Sequence, residues 1–311
     1  MTIYDLCLAW NWEYDADFVA LLDRACETRD LSLFQATPDN VEPVKEALNK
    51  GELIFRALFD RASDEDERFL PIVKWAEEQA ACRINAYPLA RRSWNKAAMH
   101  REFKAAGLQT PYTTVLPAYH TEPEPHAENL GRLGGSFAIK PAHGGGGKGV
   151  VTEATSWEQV LEVRQEFPDD QYLLQAHVMP DRLDLKESWF RVIYCAGYSY
   201  PFWWGTQTHA YQLVTGEECQ KYSLEPLWEI AALIAEVCGL ELFSTEIALT
   251  PAGDFTVVDY INDPIDLRLR SRTPQGIPDQ IVEAIAHRLA AKVAADISVK
   301  EFDIDLHIRQ F

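Results

Sequence analysis

Apolar positions in the first ninety residues alternate between two rhythms. Apolar-rich runs of strand length occur at Ile3–Ala9, Leu31–Gln35, Leu53–Leu58 and Cys82–Asn85. Between them, apolar residues recur at helical spacing over Asp17–Cys26 (Phe18, Leu21, Leu22, Ala25), Val41–Leu48 and Phe69–Ala81. Strands that alternate with helices at this spacing predict an α/β fold with a parallel sheet covered by helices. Ligands of such sheets gather at the carboxyl ends of the strands. Those ends carry Trp10-Asn11-Trp12-Glu13-Tyr14 and Arg56, Asp60 and Arg61.

The pattern changes near Ser93. Trp94–Ala106 reads as a helix closed by Gly107, and the Gln109-Thr110-Pro111 turn leads into a strand at Thr113–Leu116. Ala118–Asn129 is polar and proline-containing, and reads as an exposed loop. Phe137–Pro141, a glycine run and Val150–Glu153 then form strand, loop and strand, followed by a helix at Trp157–Glu166 and a strand at Tyr172–His177. The remainder is strand-rich: Trp189–Cys195 and Ser199–Trp204, then a helix at Leu227–Cys238 stopped by Gly239. A hairpin of Leu242–Leu249 and Phe255–Ile261 turns at Pro251–Asp254, and Ile281–Val293 is the last predicted helix.

Composition narrows the function. The 311 residues hold 29 Lys+Arg against 48 Asp+Glu, a net charge of −19, which excludes nucleic acid as a bulk partner because phosphate neutralisation needs a basic face. No apolar stretch is long enough to span a membrane, and the opening Met1-Thr2-Ile3-Tyr4-Asp5 has no basic region before an apolar run, so no membrane partner or secretory leader is expected. The six cysteines form no CxxC and mostly sit in apolar runs, the pattern of buried thiols in a cytoplasmic protein. Any anionic ligand must therefore be met by a local concentration of cations and backbone N–H groups.

His143-Gly144-Gly145-Gly146-Gly147-Lys148-Gly149 is such a place. Glycines let backbone N–H groups approach phosphate oxygens closely. The run lies between strands and opens no helix, so it fails the context of a dinucleotide fingerprint, and it lacks the Ser/Thr that follows Lys in a Walker loop. It reads instead as a lid over nucleotide phosphates, the alternative being an idle hairpin tip. Lys140 ends an apolar strand just before it, where a buried ammonium needs an anionic partner, and Lys96 opens the preceding helix. In the later hairpin, Glu246 and Asp259 each interrupt a strand that otherwise reads as buried. Such hard oxygen donors suit Mg²⁺, although arginine partners would also account for them. Arg268, Arg270 and Arg272 follow, a plausible anchor for a carboxylate or phosphate.

In this order and spacing the pieces resemble the ATP-grasp superfamily: Asn95-Lys96, Ala138-Ile139-Lys140-Pro141, the loop 144–149, Leu173-Leu174-Gln175-Ala176, Trp189-Phe190-Arg191-Val192 and Glu246…Asp259…Asn262. The resemblance covers roughly residues 94–273 and is nearest to the glutathione synthetase, D-alanine–D-alanine ligase and ribosomal-protein glutamate ligase branches. It implies three parts: an N-terminal parallel α/β domain on the substrate side (1–92), a small subdomain with the glycine lid (93–177), and a C-terminal subdomain with metal and substrate groups (178–311). It implies that Lys96 and Lys140 hold phosphates, that His143, Gly144, Gly145, Gly146, Gly147 and Lys148 close over the γ-phosphate, and that the backbone of Gln175, Ala176 and His177 meets adenine. Arg191 would steady the transferred phosphate, with Lys140 beside it. Glu246, Asp259 and Asn262 would hold Mg²⁺, two ions in most relatives, with Mn²⁺ as a substitute. A homodimer is also implied, although no segment establishes it.

The family pattern is Glu-x-Asn, and here it is Asp259-Tyr260-Ile261-Asn262. Either a β-bulge restores a common face, or Asp259 and Asn262 do not share a metal and Asp263 replaces one of them. The implied activity is ATP- and Mg²⁺-dependent joining of a carboxylate to an amine through an acyl-phosphate. The alternatives are a small-molecule kinase of the inositol phosphate type and an ATP-binding module without catalysis. Trp10, Trp12, Glu13, Tyr14, Arg268 and Arg270 are the substrate-side candidates, with Glu13 or Asp15 to receive an ammonium group and an amino acid or peptide as the expected substrate. Trp203, Trp204 and His209 either line that pocket or pack the core.

Overall fold

Parallel pairing in the first ninety residues follows from their apolar runs. The computed structural model describes residues 1–125, 130–145 and 147–308, the last eight of these by their backbone alone. It begins with β1 (Thr2–Trp10), α1 (Ala16–Glu27), β2 (Leu33–Ala36), α2 (Val41–Asn49), β3 (Leu53–Arg61), α3 (Leu70–Glu78) and β4 (Cys82–Ile84). The strands form a parallel sheet in the order β2-β1-β3-β4. Consecutive residues of β1 are buried because both faces are covered: Cys7 and Ala9 pack toward α2 and α3, Leu6 and Leu8 toward α1.

Strand β3 runs three residues beyond its expected end. Its last residue, Arg61, is buried and forms a two-pronged pair with Asp15 (2.9 and 2.8 Å), and it also donates to the Ile265 carbonyl at 2.9 Å. Asp15 is thus committed to Arg61 and is not the ammonium receptor the sequence suggested. Nor does Arg56 stand at a strand end: it lies in mid-β3 and pairs with Asp5 across the sheet at 2.9 Å.

A helix that the sequence pattern does not announce, α4 (Tyr87–Ser93), begun by Pro88, precedes the one expected at 94–106, which is α5 (Lys96–Ala105), capped by Asn95, whose Oδ1 accepts the Ala98 N–H at 2.8 Å. Next come β5 (Thr113–Leu116), β6 (Phe137–Pro141), β7 (Val151–Ala154), α6 (Trp157–Val163) and β8 (Tyr172–Ala176). They make an antiparallel sheet in the order β5-β8-β6-β7, with the glycine run joining β6 to β7. Of the polar stretch expected at 118–129, residues 126–129 lie outside the described residues, and the carbonyls of Glu122 and Pro123 fold over the buried Arg164 guanidinium.

A short hairpin of β9 (Arg182–Leu183) and β10 (Lys186–Glu187) precedes β11 (Trp189–Cys195), β12 (Tyr198–Trp204), β13 (Tyr211–Leu213), α7 (Gly216–Tyr222), α8 (Pro226–Cys238), β14 (Leu242–Leu249), β15 (Phe255–Asn262) and α9 (Asp279–Ile308). Five of these strands form an antiparallel sheet in the order β13-β12-β11-β14-β15. Its faces differ, as strand alternation requires. Phe190, Val192, Trp203, Phe243 and Ile247 pack with α4, α5 and α8, whereas Ile193, Cys195, Phe202 and Leu242 pack against α9. The same helix packs against α1 and β1, in one apolar core with Leu6 and Leu8 of the N-terminal sheet and Leu22 of α1, so that core spans both sheets. The cysteines are free thiols, all but Cys219 buried. Among the described residues no helix is long and apolar enough to cross a membrane.

Arg61 joins the N-terminal sheet to the chain that follows β15, and breaking a buried pair strands an uncompensated charge. Asp15→Ala is therefore expected to lower stability by about 3–5 kcal/mol, read as a fall in the urea midpoint. A loss below about 1 kcal/mol would mean that the pair behaves as a solvated surface bridge.

Candidate active site

Three groups share the uncovered end of the α9 face of the five-stranded sheet. Strand register sets Glu246 of β14 between Arg191 of β11 and Asp259 of β15. Arg191 Nη1 lies 3.6 Å from Glu246 Oε1, its Nε donates to Ser244 Oγ at 3.2 Å, and its guanidinium lies over the Trp204 ring at 4.7 Å. Trp189 Nε1 donates to Glu246 Oε2 at 2.9 Å. Burial raises the Glu246 carboxyl above its ordinary value and the charge of Asp259 adds to this, while Arg191, Trp189 and Lys140 offset part of it.

The spacing of Asp259 and Asn262 is resolved by bulges. Between the Ser244–Asn262 and Glu246–Asp259 pairs, β14 advances two residues and β15 three. A second extra residue enters β15 before Val257 pairs with Ile247. The bulge brings Asp259 and Asn262 to one side, and Asn262 Nδ2 donates to Asp259 Oδ2 at 3.1 Å. Asp263 points elsewhere: it accepts from Asn85 Nδ2 at 2.7 Å beside Asp60, Ser63 and Asp64, and burial pushes it up to about 7. It is not a substitute ligand.

The lysines face this acidic hairpin from the four-stranded sheet and from α5. Lys140 Nζ donates to Gln175 Oε1 at 2.7 Å. Burial pulls its ammonium below the usual range, against the opposing charges of Asp259 and Glu246. Lys96 is lowered by burial as well, with Asp259 and Asp170 acting to raise it and Lys140 to lower it. Its Nζ donates to the Gly144 carbonyl, and its backbone N–H to Ala142 O at 2.7 Å, so the start of α5 is docked on the base of the glycine loop.

That base is fixed by His143. Its N–H and Nδ1 both meet the Asp170 carboxylate at 2.8 Å, and its Nε2 lies 3.3 Å from Asn95 Nδ2. Burial works to raise Asp170, but the His143 hydrogen bonds and charge prevail and hold it below its ordinary value. Gly144, Gly147 and Gly149 have positive φ, and a Cβ on Gly149 would meet the Phe167 ring at 2.5 Å, so glycine is required there. Lys148 is exposed, 5.8 Å from the centre of that ring. Gly146 lies outside the described residues.

The Gln175 side chain is buried and turned inward, and the Ala176 N–H is taken by Tyr112 O at 2.9 Å, so the strand edge free to meet a base begins at His177. His177 Nε2 is 3.7 Å from Glu153 Oε1.

The substrate-side candidates divide. Trp12 and Tyr14 are exposed, stand edge to face at 5.3 Å, and flank Arg268, whose guanidinium is held by Asp266. Glu13 is exposed between them. Trp10 packs against the shared core with its indole N–H buried and unpartnered. The arginines do not converge: Arg270 donates to the Tyr211 and Gly276 carbonyls and Arg272 pairs with Asp17 at 2.9 Å. Alternation separates the tryptophans: Trp203 enters the core beside Phe190, whereas Trp204 faces Arg191 and stacks on His209 at 5.6 Å. Tyr211 is buried, 4.7 Å from the Trp204 ring, and burial raises its hydroxyl above the ordinary value. Trp189, Ser244 and Asp170 were not singled out from the sequence. The first two lie two residues before Arg191 and Glu246, and period-two spacing is the signal that finds them; Asp170 leaves none.

No protein-family model matches the chain, and no curated protein matches its sequence. Solved structures do. An ATP-grasp RimK domain protein from Sphaerobacter thermophilus superposes with a TM-score of 0.61 at 18% identity, over 92% of this chain and 98% of that one. The ATP-grasp ligase PsnB, complexed with a minimal precursor, Mg and ADP, gives 0.59 at 13%, over 94% and 98%. The D-alanine–D-alanine ligase of Bacillus anthracis, complexed with ATP, gives 0.62 at 8%, over 96% and 99%. The chain has the ATP-grasp fold.

Proposed function

We propose that the protein is an ATP- and Mg²⁺-dependent carboxylate–amine ligase that works through an acyl-phosphate. The observation that carries this reading is the facing of two desolvated lysines, Lys96 and Lys140, across to the carboxylates of Glu246 and Asp259. Each side is costly alone, and a Mg-bound triphosphate laid between them satisfies both. The ATP-grasp fold, seen here in ligases solved with ATP or with Mg and ADP, supports the same assignment.

The donor chemistry fits a hard divalent cation, since Glu246 and Asp259 offer carboxylate oxygens, Asn262 (whose Nδ2 donates to Asp259 Oδ2) has an amide oxygen to add, and the acidic pair carries surplus negative charge. When bound, such an ion neutralises phosphate charge and aligns the transferred group. The protein's own residues do the rest. Lys140 and Lys96 place the phosphates. The glycine loop, anchored through His143 and Asp170, covers the γ-phosphate and excludes water that would hydrolyse an acyl-phosphate. The backbone from His177 onward meets the base. Arg191, oriented by Ser244 and Trp204, stands where charge builds on the acceptor carboxylate and the transferred phosphoryl group. The acceptor lies between Arg191 and the Trp12–Arg268–Tyr14 group, with residues 1–92 as the substrate-side wall, 93–177 bearing the lid and 178–311 the metal and substrate groups.

Phosphorus NMR with Mg·ATP and pooled amino acids, small carboxylates and inositol phosphates tests the reaction. ADP and inorganic phosphate are expected only when a carboxylate and an amine are both present. A new phosphoester without free phosphate would instead make the protein a kinase.

Two substitutions test the site. Lys140→Ala is expected to weaken ATP binding about 100-fold, the loss of a charge-assisted contact, with an unchanged thermal midpoint; unaltered affinity removes the nucleotide assignment. Glu246→Gln is expected to raise the Mg²⁺ concentration needed for half-maximal turnover about tenfold or more. An unchanged requirement makes the hairpin structural.

A further inference from the structure

Tyr260 is the residue that the first bulge sets apart between Asp259 and Asn262. It turns away from both into the opposite face, where it is 2% exposed and packs edge-on against Phe103 of α5 at 5.4 Å. Its hydroxyl does not serve that packing. It lies 3.2 Å from Gln175 Nε2 and 2.6 Å from His100 Nδ1, and Gln175 Oε1 lies 2.7 Å from Lys140 Nζ. Gln175 and His100 are 3% and 4% exposed, so with Tyr260 these side chains are buried, and Lys140 is half-buried at the end of the chain.

Donor and acceptor chemistry gives the chain one direction. An ammonium only donates, so Gln175 must present Oε1 to Lys140 and its amide N–H to Tyr260. The phenol oxygen accepts, which frees its proton for His100 Nδ1. His100 must then be the neutral tautomer with hydrogen on Nε2. Three side chains thus connect Lys140 in the nucleotide sheet, the acidic hairpin of β15, and α5, the helix that begins with Lys96.

We propose that Tyr260 is a positioning residue that holds Lys140, through Gln175, in register with the metal hairpin. The proposal rests on the nucleotide reading given above. A hairpin without the extra residue would present its acid and its amide two apart on one face, and the residue between them would have one fixed direction. Alternation from Asp259 turns Tyr260 inward, and the inserted residue returns Asn262 to the side of Asp259.

The test measures Mg·ATP affinity by calorimetry in the wild type, Tyr260→Phe, Gln175→Leu and the double variant, with thermal midpoints alongside. The Lys140 ε-methylene resonance is followed in lysine-labelled protein, assigned by its loss in Lys140→Arg. Tyr260→Phe keeps the ring packing and is expected to weaken ATP about tenfold, as a lost buried hydrogen bond does. The Lys140 resonance should shift in that variant, which a role in stability alone would not produce. The double variant should bind no more weakly than Gln175→Leu. If Tyr260→Phe does not fold, Gln175→Leu breaks the same link from the other side and must shift the same resonance. An unmoved Lys140 resonance, or losses that multiply in the double variant, overturns the strut and leaves the nucleotide site standing. Failure of the wild type to bind ATP overturns the nucleotide reading itself.

Discussion

Two carboxylates set opposite each other on paired strands, Glu246 and Asp259, impose the constraint around which the rest of the site is arranged. Burial first, and the like charge of Asp259 after it, raise the Glu246 carboxyl above its ordinary value. Arg191 offsets this on one side, at 3.6 Å, and the Trp189 indole on another. The remaining excess is turned toward Lys140 and Lys96, whose ammonium groups donate to neutral oxygens, Gln175 Oε1 and the Gly144 carbonyl. A site that is electrostatically incomplete on both sides is ready for a ligand with complementary charge, and a triphosphate with a divalent cation has that form.

The net charge of −19 sharpens the argument. An acidic protein repels a polyanion at long range, so binding must depend on short-range, desolvated contacts. The structure concentrates its cations accordingly: Lys96, Lys140 and Arg191 all meet the acidic hairpin, whereas Arg61, Arg164, Arg270 and Arg272 are bound to neighbouring groups of the fold. The arginines near residue 270 illustrate why sequence proximity misleads. Three of them lie within five positions, yet each goes to a different element, because the segment is irregular and has no common face.

Legibility in the sequence tracked how much each feature depended on local pattern. Strands β5, β11 and β14 were placed to the residue, since alternation and burial fix them locally. Helix α4 was missed because Pro88 reads as a breaker when it in fact starts the helix, and β13 and α7 because three- and seven-residue elements carry little periodicity. The side-chain types of the site were also readable: lysine in an apolar strand, acids in an apolar hairpin. Their partners were not. Asp170 reaches His143 and Arg61 reaches Asp15 through tertiary geometry alone, and Asp15 was assigned to substrate because nothing local announced the arginine. The bulge stood between, visible only as a spacing of three that an even strand cannot accommodate.

That irregular spacing also explains how the two halves of the site are kept in step. The four-stranded sheet with its glycine loop packs its own small core around α6, whereas β15 belongs to the core shared with α5 and α8. Apolar contacts between such units slide easily, because dispersion has no preferred register. A directional chain of hydrogen bonds does not. Buried Gln175, Tyr260 and His100 cross that boundary together with Lys140, Gln175 Nε2 also reaching Thr113 Oγ1 at 3.4 Å, so displacement of one sheet relative to the other breaks a buried bond. The chain fixes the register between the sheets beside Lys140 and the Asp259–Asn262 pair.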